Sequence, residues 1–321
     1  MSPFNIVSIE NESKSPPASK GSARLEAQAR FDREWLNNPD QFNPQKNAAE
    51  KLRMQRLQTI ILELFPDLNQ IKVADMGCGT GWLSKWLAEK GAQVDAIDIS
   101  TIPLKELTNI PRIHTSQDWL PRTKMTDDTY DLVIAAEILP YIPQENLRLS
   151  INELSRLVKP KGWVICSTAI DFHSTDALER FVELFETEFI IEHSLVSRFT
   201  LAIKINDFFQ APQRFVKASK NPEYRRKELK RRFSFSKIWF QWNSHSWLAP
   251  LWKTIGWILG PLSRKYEQSE ATWTKLESLA RVLSTDEGIS HVILAGQRRP
   301  IISTPLELQP QERKQKKTVW E

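Results

Sequence analysis

The amino-acid sequence predicts an α/β protein built around a doubly wound, mostly parallel sheet. From residue 71 onward, short apolar runs typical of buried strands alternate with stretches of helical periodicity. A glycine-rich loop, DMGCGTGW at 75–82, stands between the first such run and a helical stretch. With 321 residues and 40% apolar side chains, the chain can bury a full core. Ligands of such a sheet bind at the carboxyl ends of its strands.

The predicted elements follow one another in a regular order. Asn43 and Pro44 form a helix-start signal, which predicts a helix that ends before Pro66. Further helices are predicted over 82–90, where Gly91 ends the helix, and over 144–158 and 176–187. The fourth strand should end near Ala136. Six strands are predicted at IKVADMG, AQVDAIDIS, RIHTS, YDLVIAAEIL, WVICST and FIIEHSLV.

Composition limits the kinds of protein and of site. The formal net charge of +5 permits an anionic partner without requiring one. Cys78 and Cys166 are far apart and lack metal-ligand spacing, which argues against a disulfide scaffold and a zinc site. The N-terminal stretch has acidic residues and prolines where a signal peptide needs a basic start and an apolar core, so we expect a cytoplasmic location. Residues 1–22 and 300–321 are polar and aperiodic and are expected to be disordered tails.

The glycine-rich loop carries the first chemical information. The three glycines of residues 77–81 permit a sharp turn and let a ligand approach the backbone N–H groups. A dinucleotide-binding loop would need its third glycine where Trp82 stands. Asp75 would repel phosphates but suits a cationic ligand, and Asp98 at the end of the second strand can accept hydrogen bonds from ribose hydroxyls. These features favour S-adenosylmethionine, which has a ribose, an ammonium and a sulfonium but no pyrophosphate.

Five motifs occur in a characteristic order: VADMGCGTG, AIDIS, SQDWLP, YDLVIAAEILPYI and LVKPKGWVICST. On these motifs the sequence resembles the class I S-adenosylmethionine-dependent methyltransferases, over residues 45–205 and 288–297. The resemblance implies an enzyme with a Rossmann-like fold of seven strands, in which GISHVILAGQ forms an antiparallel seventh strand. It also implies that residues 23–197 and 288–299 together form the cofactor-binding domain.

The resemblance further implies the cofactor-binding residues. Asp75 and the glycine-rich loop would hold the methionine part, Asp98 the ribose, and Asp118 the adenine amino group beside Trp119. The end of the fourth strand would line the cofactor pocket. The full set implied for the cofactor is Asp75, Gly77, Cys78, Gly79, Gly81, Asp98, Ile99, Asp118, Trp119, Ala136 and Glu137.

Methyl transfer makes modest demands on catalytic side chains. It is an in-line displacement at a carbon that is already activated, so orientation can supply most of the acceleration. A base is needed only when the acceptor must lose a proton. We predict that His173, after the fifth strand, or Tyr141, after the fourth, assists that proton transfer. No metal site is indicated.

In its finer details the sequence resembles two different groups of methyltransferases. GAQVDAIDIS and VICSTAID are similar to ubiquinone-pathway O-methyltransferases, but Pro140 and Tyr141 stand where that group has an acidic residue and a histidine. AEILPYI is similar to nodulation-type N-methyltransferases. The expected acceptor is therefore a small or lipophilic molecule, with transfer to oxygen or to nitrogen left open, as is the oligomeric state. A non-catalytic scaffold on the same fold is the alternative from another class.

Residues 198–287 are predicted to form a helical insertion before the last strand. Within it, residues 204–232 contain ten basic and three acidic side chains, and five tryptophans follow. Tryptophans beside basic residues are typical of a surface that contacts an anionic membrane, here the inner face of one. A lid packed over the acceptor pocket is the second interpretation. The aliphatic residues between the tryptophans argue against the third, an RNA-binding module. The tryptophans are Trp239, Trp242, Trp247, Trp252 and Trp257.

Overall fold

A computed structural model describes residues 20–39, 43–170, 176–230, 234–283 and 289–300 of the chain. Seven strands form one sheet in the order β3-β2-β1-β4-β5-β7-β6. All neighbours pair in parallel except β7, which runs antiparallel to β5 and β6. The sheet confirms the predicted fold class. The strands are β1 Lys72–Met76, β2 Gln93–Asp98, β3 Ile113–Gln117, β4 Tyr130–Ala136, β5 Val158–Ala169, β6 Phe189–Ser197 and β7 His291–Arg298.

Helices surround the sheet and fill the segment between β6 and β7. Those before β6 are α1 Lys20–Asn37, α2 Ala48–Leu64, α3 Trp82–Glu89, α4 Thr101–Leu104, α5 Gln144–Leu157 and α6 Ala177–Glu186. Those between β6 and β7 are α7 Thr200–Lys220, α8 Pro222–Lys230, α9 Ser234–Asn243, α10 Ala249–Gln268 and α11 Glu270–Leu283. The segment before the last strand is therefore helical, as predicted.

Two helix starts differ from the prediction. Asn43 caps only a short 3-10 turn, Pro44–Lys46. Helix α2 begins after it, because Asn47 Oδ1 accepts hydrogen bonds from the next backbone N–H groups at 2.8 and 3.3 Å. Helix α1 is not among the predicted elements, and it begins at Lys20, inside the stretch 1–22 that was expected to be a tail. Residues 1–19 and 301–321 lie outside the described part of the chain.

The core lies on both faces of the sheet. Val133 of β4 packs on one face in a cluster with Leu154 of α5, whereas its neighbour Ile134 packs on the other face with Leu57 of α2. Successive side chains of a strand point to opposite faces, so strands covered on both sides read as continuous apolar runs. Since β1, β2, β4 and β5 are parallel, their carboxyl ends meet at one edge of the sheet, which the antiparallel β7 reaches at its first residue.

The helices between β6 and β7 pack on one another and on α2. Helix α10 runs along α7, with Gly256 close enough that a Cβ there would lie 3.6 Å from Pro212. Trp273 of α11 is fully buried and contacts Phe199 edge-on, with ring centroids 5.7 Å apart. Both belong to an apolar cluster that includes Ala49 of α2. This cluster anchors the insertion beside the carboxyl edge of the sheet.

Candidate functional site

The glycine-rich loop turns at the carboxyl end of β1. Gly77 and Cys78 donate their N–H groups to the Ile97 carbonyl at 2.7 and 2.9 Å, which ties the loop to β2. All three loop glycines have left-handed backbones, with φ between 53° and 73°. A Cβ on Gly77 would lie 2.0 Å from a methyl carbon of Ile138. Conformation and space therefore both require glycine at this position.

Asp98 lies at the end of β2 and is buried. Its Oδ2 accepts a hydrogen bond from Gly79 N at 3.0 Å, and its Oδ1 accepts one from Ser100 N at 2.9 Å. Burial, together with the nearby charge of Asp32, raises the pKa of this carboxyl to about 6, although the two backbone bonds act in the opposite direction. The group is therefore ionised at neutral pH and is held in one orientation by the loop and the turn that flank it.

Asp75 is the second buried carboxyl at this edge. It is 3% exposed, and its Oδ2 accepts a hydrogen bond of 2.5 Å from Ser84 Oγ of α3. Burial raises the pKa of Asp75 to about 6, and the charge of Asp98 adds to that shift. Two ionised carboxylates with little solvent make the region beside the loop negative, which favours a cationic ligand.

Asp118 and Trp119 follow β3 at the same edge. Asp118 accepts hydrogen bonds from Trp119 N at 3.0 Å and from Lys124 N at 2.7 Å, so its carboxylate shapes this turn. The guanidinium carbon of Arg24 lies 3.1 Å from the centroid of the Trp119 ring. Ile99 stands between this turn and the end of β2, and its carbonyl accepts a hydrogen bond from Gln117 at 2.9 Å.

Helix α1 lies across this edge of the sheet. Besides Arg24, it contributes Asp32, whose Oδ1 accepts a 2.5 Å hydrogen bond from Ser100 Oγ. Buried Trp35 lies against the loop, 3.1 Å from the position that a Cβ of Gly79 would take. The aromatic residues at positions 31 and 35, one turn apart, were the sequence signal that could have indicated a packed helix here.

The end of β4 faces the site from the other side. Glu137, directly after Ala136, has a left-handed backbone with φ 59°, which is uncommon for a residue other than glycine. Its N–H donates to the Ser167 carbonyl at 2.7 Å, and its Oε1 accepts a hydrogen bond from Ser167 Oγ, also at 2.7 Å. These bonds fix the Glu137 carboxylate at the junction of β4 and β5.

Tyr141 lies in the short turn after β4. Its ring meets Phe31 of α1 edge-on, with centroids 5.2 Å apart. Burial raises the pKa of Tyr141 to about 12, and the charges of Glu34 and Glu137 add to that shift. The phenol is therefore protonated at neutral pH and can donate a hydrogen bond.

A buried group of charged and polar side chains lies beside Glu137, and the sequence alone did not predict it. Arg53 of α2 donates from Nε and Nη2 to Glu50 Oε2, at 3.1 and 2.5 Å, and its Nε lies 3.6 Å from Glu137 Oε1. His291 Nε2, at the start of β7, lies 3.9 Å from Glu137 Oε2. Burial lowers the pKa of His291. The i, i+3 pairing of Glu50 and Arg53 on the apolar face of a helix was the available signal.

Two further predicted residues are His173 and Cys78. His173 lies outside the described residues, so its role stays a prediction. Cys78 is half-buried beside Gly79, and burial raises the pKa of its thiol well above the ordinary value. Within the described ranges, no group of three or more His, Cys, Asp or Glu side chains is arranged to hold a metal ion.

The chemistry of the side chains at the carboxyl ends of β1 and β2 fits S-adenosylmethionine. The cofactor has two cationic groups, and the buried carboxylates of Asp75 and Asp98 supply negative charge beside the loop. The loop glycines let Ile138 and Leu107 pack directly on the backbone, since a Cβ would lie 2.0 Å from Ile138 at Gly77 and 2.3 Å from Leu107 at Gly81.

A family model described as a methyltransferase domain matches residues 48–233, which is more than half of the chain. The ubiquinone biosynthesis O-methyltransferase of Bordetella avium (strain 197N) is 30% identical over 172 residues, covering 50% of this chain and 67% of the relative. That of Leptothrix cholodnii is 28% identical over 145 residues, covering 42% of this chain and 57% of the relative. The chain thus spans between about half and two thirds of the length of these relatives.

Solved structures with a similar arrangement include the N-methyltransferase NodS from Bradyrhizobium japonicum WM9 in complex with S-adenosyl-L-homocysteine. It is 16% identical, with a TM-score of 0.46, covering 53% of this chain and 89% of that one. The 1,6-didemethyltoxoflavin N1-methyltransferase of Burkholderia thailandensis is 15% identical, with a TM-score of 0.46, covering 57% of this chain and 85% of that one.

The family match includes β1 to β6 and the whole glycine-rich loop. The sheet order and the two buried carboxyls at the ends of β1 and β2 agree with it. The chain belongs to the methyltransferase-domain family and is a methyltransferase.

Proposed function

We propose that this enzyme methylates an oxygen or nitrogen atom of a small or lipophilic acceptor, with the acceptor bound between the glycine-rich loop and the end of β4. The observation that carries the proposal is the pair of buried carboxylates, Asp75 and Asp98, on either side of a loop that only glycine can form. When bound, the cofactor supplies a methyl group activated by a positively charged sulfur.

Each part of the edge has a role in this proposal. Asp75 and the loop residues Gly77, Cys78, Gly79 and Gly81 hold the methionine part, with Ser84 fixing the Asp75 carboxylate. Asp98 accepts hydrogen bonds from the ribose. Each of its carboxylate oxygens accepts one hydrogen bond from a backbone N–H and has a further lone pair that can accept another. The remaining cofactor contacts are assigned to Ile99, Asp118, Trp119 and Ala136, and Glu137 lies where the cofactor pocket meets the acceptor.

Cofactor binding is tested by calorimetry with S-adenosylmethionine and its demethylated product. Asp98→Ala should weaken binding by about 1–3 kcal/mol, because it removes charge-assisted hydrogen bonds. Asp95→Ala is the matched control on the same strand, since Asp95 instead accepts a hydrogen bond from Tyr130 at 2.6 Å. If the wild-type protein binds neither molecule, the proposal is wrong.

Transfer itself is tested with radiolabelled cofactor and separated lipid, RNA, protein and small-molecule fractions of a cell extract. Label in the lipid or small-molecule fraction supports the proposal. Label in RNA favours an RNA methyltransferase. Protein that binds cofactor but labels no fraction favours the non-catalytic scaffold.

Proton removal from the acceptor is assigned to His173 or Tyr141 without a metal. Burial raises the pKa of Tyr141 to about 12, so its phenol stays protonated at neutral pH and would assist by donating a hydrogen bond to the acceptor, not by taking the proton itself. Treatment with a chelator should leave the rate unchanged. Activity that is lost on chelation and restored by magnesium would contradict this assignment.

We also propose that the insertion attaches the enzyme peripherally to an anionic membrane. The supporting observation is an exposed surface formed by α9, α10 and the 3-10 turn Ser246–Leu248 between them, in which Trp257 is 80% exposed. We call it the tryptophan surface and define it as Trp242, Trp247, Leu251, Trp257 and Ile258. No helix in the described ranges is long and apolar enough to cross a membrane. Interfacial burial of exposed rings needs no crossing.

Basic side chains accompany the tryptophan surface. Helix α8 lies beside α9, where Arg225 approaches the Gln241 carbonyl at 3.5 Å, and it exposes Arg226, Lys227 and Lys230. Each basic residue near an anionic lipid surface contributes about 1 kcal/mol. By contrast, Trp252 packs on Phe215 in the interior of the insertion, with ring centroids 4.9 Å apart, and is left out of the tryptophan surface.

Flotation with anionic and neutral liposomes tests the attachment. Wild-type protein should float with anionic liposomes at low salt, and Trp247→Ala with Trp257→Ala should reduce flotation at every salt concentration. Val282→Ser with Leu283→Ser is the matched control, because these α11 side chains are equally exposed. Folded protein that does not float with liposomes but retains an RNA probe would contradict the membrane proposal and favour RNA binding.

A further inference from the structure

Arg53 holds a buried donor group that the described residues leave unpaired. The side chain is 8% exposed, and two of its three nitrogens, Nε and Nη2, donate to Glu50. The third nitrogen, Nη1, is buried and makes no hydrogen bond to any of the described residues. A buried donor of this kind is stabilised when an oxygen from a ligand reaches it.

Glu137 supplies the acceptor group next to that donor. Its Oε1 lies 3.6 Å from Arg53 Nε and accepts a hydrogen bond from Ser167, and its side chain is 24% exposed, against 8% for Arg53. The left-handed backbone of Glu137 sets the direction in which this side chain leaves the end of β4. Strained backbones that the surrounding structure holds in place are concentrated at functional sites. Glu137 and Arg53 thus present an oxygen acceptor and a nitrogen donor side by side.

The charges around this pair are unbalanced. Glu50, Arg53 and Glu137 together have one more negative than positive charge at neutral pH. His291 does not correct the balance, because burial lowers its pKa and keeps it neutral, while Arg56, the next cation of α2, pairs with Glu277. A ligand group that is positive, or that donates hydrogen bonds, is favoured here.

Tyr141 shows how burial, with these charges as a smaller contribution, acts on a hydroxyl group beside Glu137. Burial raises its phenol pKa to about 12, and Glu34, Glu137 and Glu50 add to the shift while Arg30 opposes it. An acceptor hydroxyl placed in the same surroundings would likewise be kept protonated, and protonated oxygen is a weak nucleophile. An amine enters these negative surroundings as an ammonium ion, and it gains a nucleophilic lone pair when it gives one proton to the Glu137 carboxylate.

We propose that Glu137 and Arg53 form the acceptor subsite, and that it takes an amine with a neighbouring oxygen atom. In this arrangement the Glu137 carboxylate accepts a hydrogen bond from the amine N–H, and Arg53 Nη1 donates one to the oxygen. Ser167 and His291 act as positioning residues for Glu137. The inference rests on the proposed function and commits it to nitrogen as the methylated atom.

The first test uses the full-length protein, radiolabelled S-adenosylmethionine and a small-molecule and lipid extract that is either acetylated with N-acetoxysuccinimide or mock-treated. This reagent blocks amines selectively. Acetylation should lower the incorporated label at least tenfold. Label that survives acetylation overturns the inference but leaves the proposed function standing. A complete absence of label in both extracts overturns both.

The second test uses Arg53→Lys and Glu137→Gln, with Arg56→Lys as the matched control on the same helix. Arg53→Lys keeps the charge but removes the unpaired nitrogen, so the KM for the labelled acceptor should rise roughly tenfold while the Kd for S-adenosylmethionine stays within about twofold. Glu137→Gln should raise the same KM. An equal loss of cofactor affinity in either variant, with thermal melting unchanged, would assign these residues to the cofactor pocket and overturn the inference.

Discussion

The guanidinium of Arg24 lies over the Trp119 indole, 3.1 Å from its centroid, and so fastens the start of α1 to the turn after β3. Further along the same helix, Asp32 accepts a hydrogen bond from Ser100 and Trp35 lies against Gly79. These three contacts lie at the turn after β3, the turn after β2 and the glycine-rich loop, which contain residues of the proposed cofactor site. Helix α1 therefore covers the proposed cofactor site along its length.

Replacement of Trp35 should speed the escape of bound cofactor. Trp35→Ala removes a ring that is 6% exposed and lies against the glycine-rich loop, so stopped-flow fluorescence should show a dissociation rate at least roughly tenfold higher. Leu36→Ala, at a neighbouring position that is 69% exposed, is the control and should leave the rate unchanged. Equal rates in wild type and Trp35→Ala would show that α1 does not retain the cofactor.

Acidification should weaken cofactor binding. The pKa values of Asp75 and Asp98 are both about 6, so lowering the pH through 6 protonates these carboxyls and removes the charges that face a cationic ligand. Calorimetry between about pH 5 and about pH 8 should show affinity falling on the acid side of this range. Asp98→Asn should flatten the profile, and a profile that is unchanged in this variant would contradict the assignment.

The same two carboxyls should affect stability in the opposite direction. Their pKa values in the folded protein lie above the ordinary value of 3.8, so between about pH 4 and about pH 6 the native state binds more protons than the unfolded chain. Their contribution to the free energy of unfolding therefore rises as the pH falls through this window. Urea unfolding of wild type and Asp98→Asn in the absence of cofactor, compared across the window, isolates this contribution.

The contact between Gly77 and Ile138 can be tested with a double-mutant cycle. Gly77→Ala places a Cβ 2.0 Å from a methyl carbon of Ile138 and forces a left-handed backbone on alanine, which costs about 1–2 kcal/mol from the backbone alone. Ile138→Ala removes the clash but not the backbone cost. The double variant should therefore be more stable to urea than the two single effects added together, whereas simple additivity would show that the loop moves to avoid the contact.

The ion pair between Arg56 and Glu277 should contribute more to stability than the neighbouring pair between Lys51 and Glu270. Glu277 is 3% exposed and binds Arg56 of α2, so Glu277→Ala leaves a half-buried cation unpaired and should cost about 3–5 kcal/mol. Glu270→Ala breaks a more exposed pair and should cost less than about 1 kcal/mol. Thermal and urea unfolding measure the stability lost in each variant. Equal losses of stability would contradict the expectation that the more buried pair contributes more.

Local sequence signals were enough to predict the sheet. Buried parallel strands appear as short apolar runs, and Asp75 and Asp98 could be placed because each follows such a run directly. The start of α2 could not be placed as well, because Asn43 and Asn47 are both good capping residues and only the folded chain decides which one begins the long helix.

Contacts between distant parts of the chain explain what the sequence did not show. Arg53, Glu137 and His291 come from three separate elements, and nothing local to any of them indicates the other two. The tryptophans illustrate a second reason. Trp252 and Trp257 are five residues apart, which places them about 140° apart around a helix, so one packs inside the insertion while the other is exposed.

The pairing of Ser197 with His291 has a consequence for how this enzyme can diverge. The last residue of β6 and the first of β7 are register partners, and Ser290 N donates to the Ser197 carbonyl at 2.8 Å, so the insertion leaves and rejoins the sheet at a single point. Each doubling of the length of such a connection changes its closure entropy by only about 0.6 kcal/mol. We therefore expect the length of this connection to vary with little disturbance to the strands that end in Asp75 and Asp98, provided that the contacts of the insertion with α2 are kept.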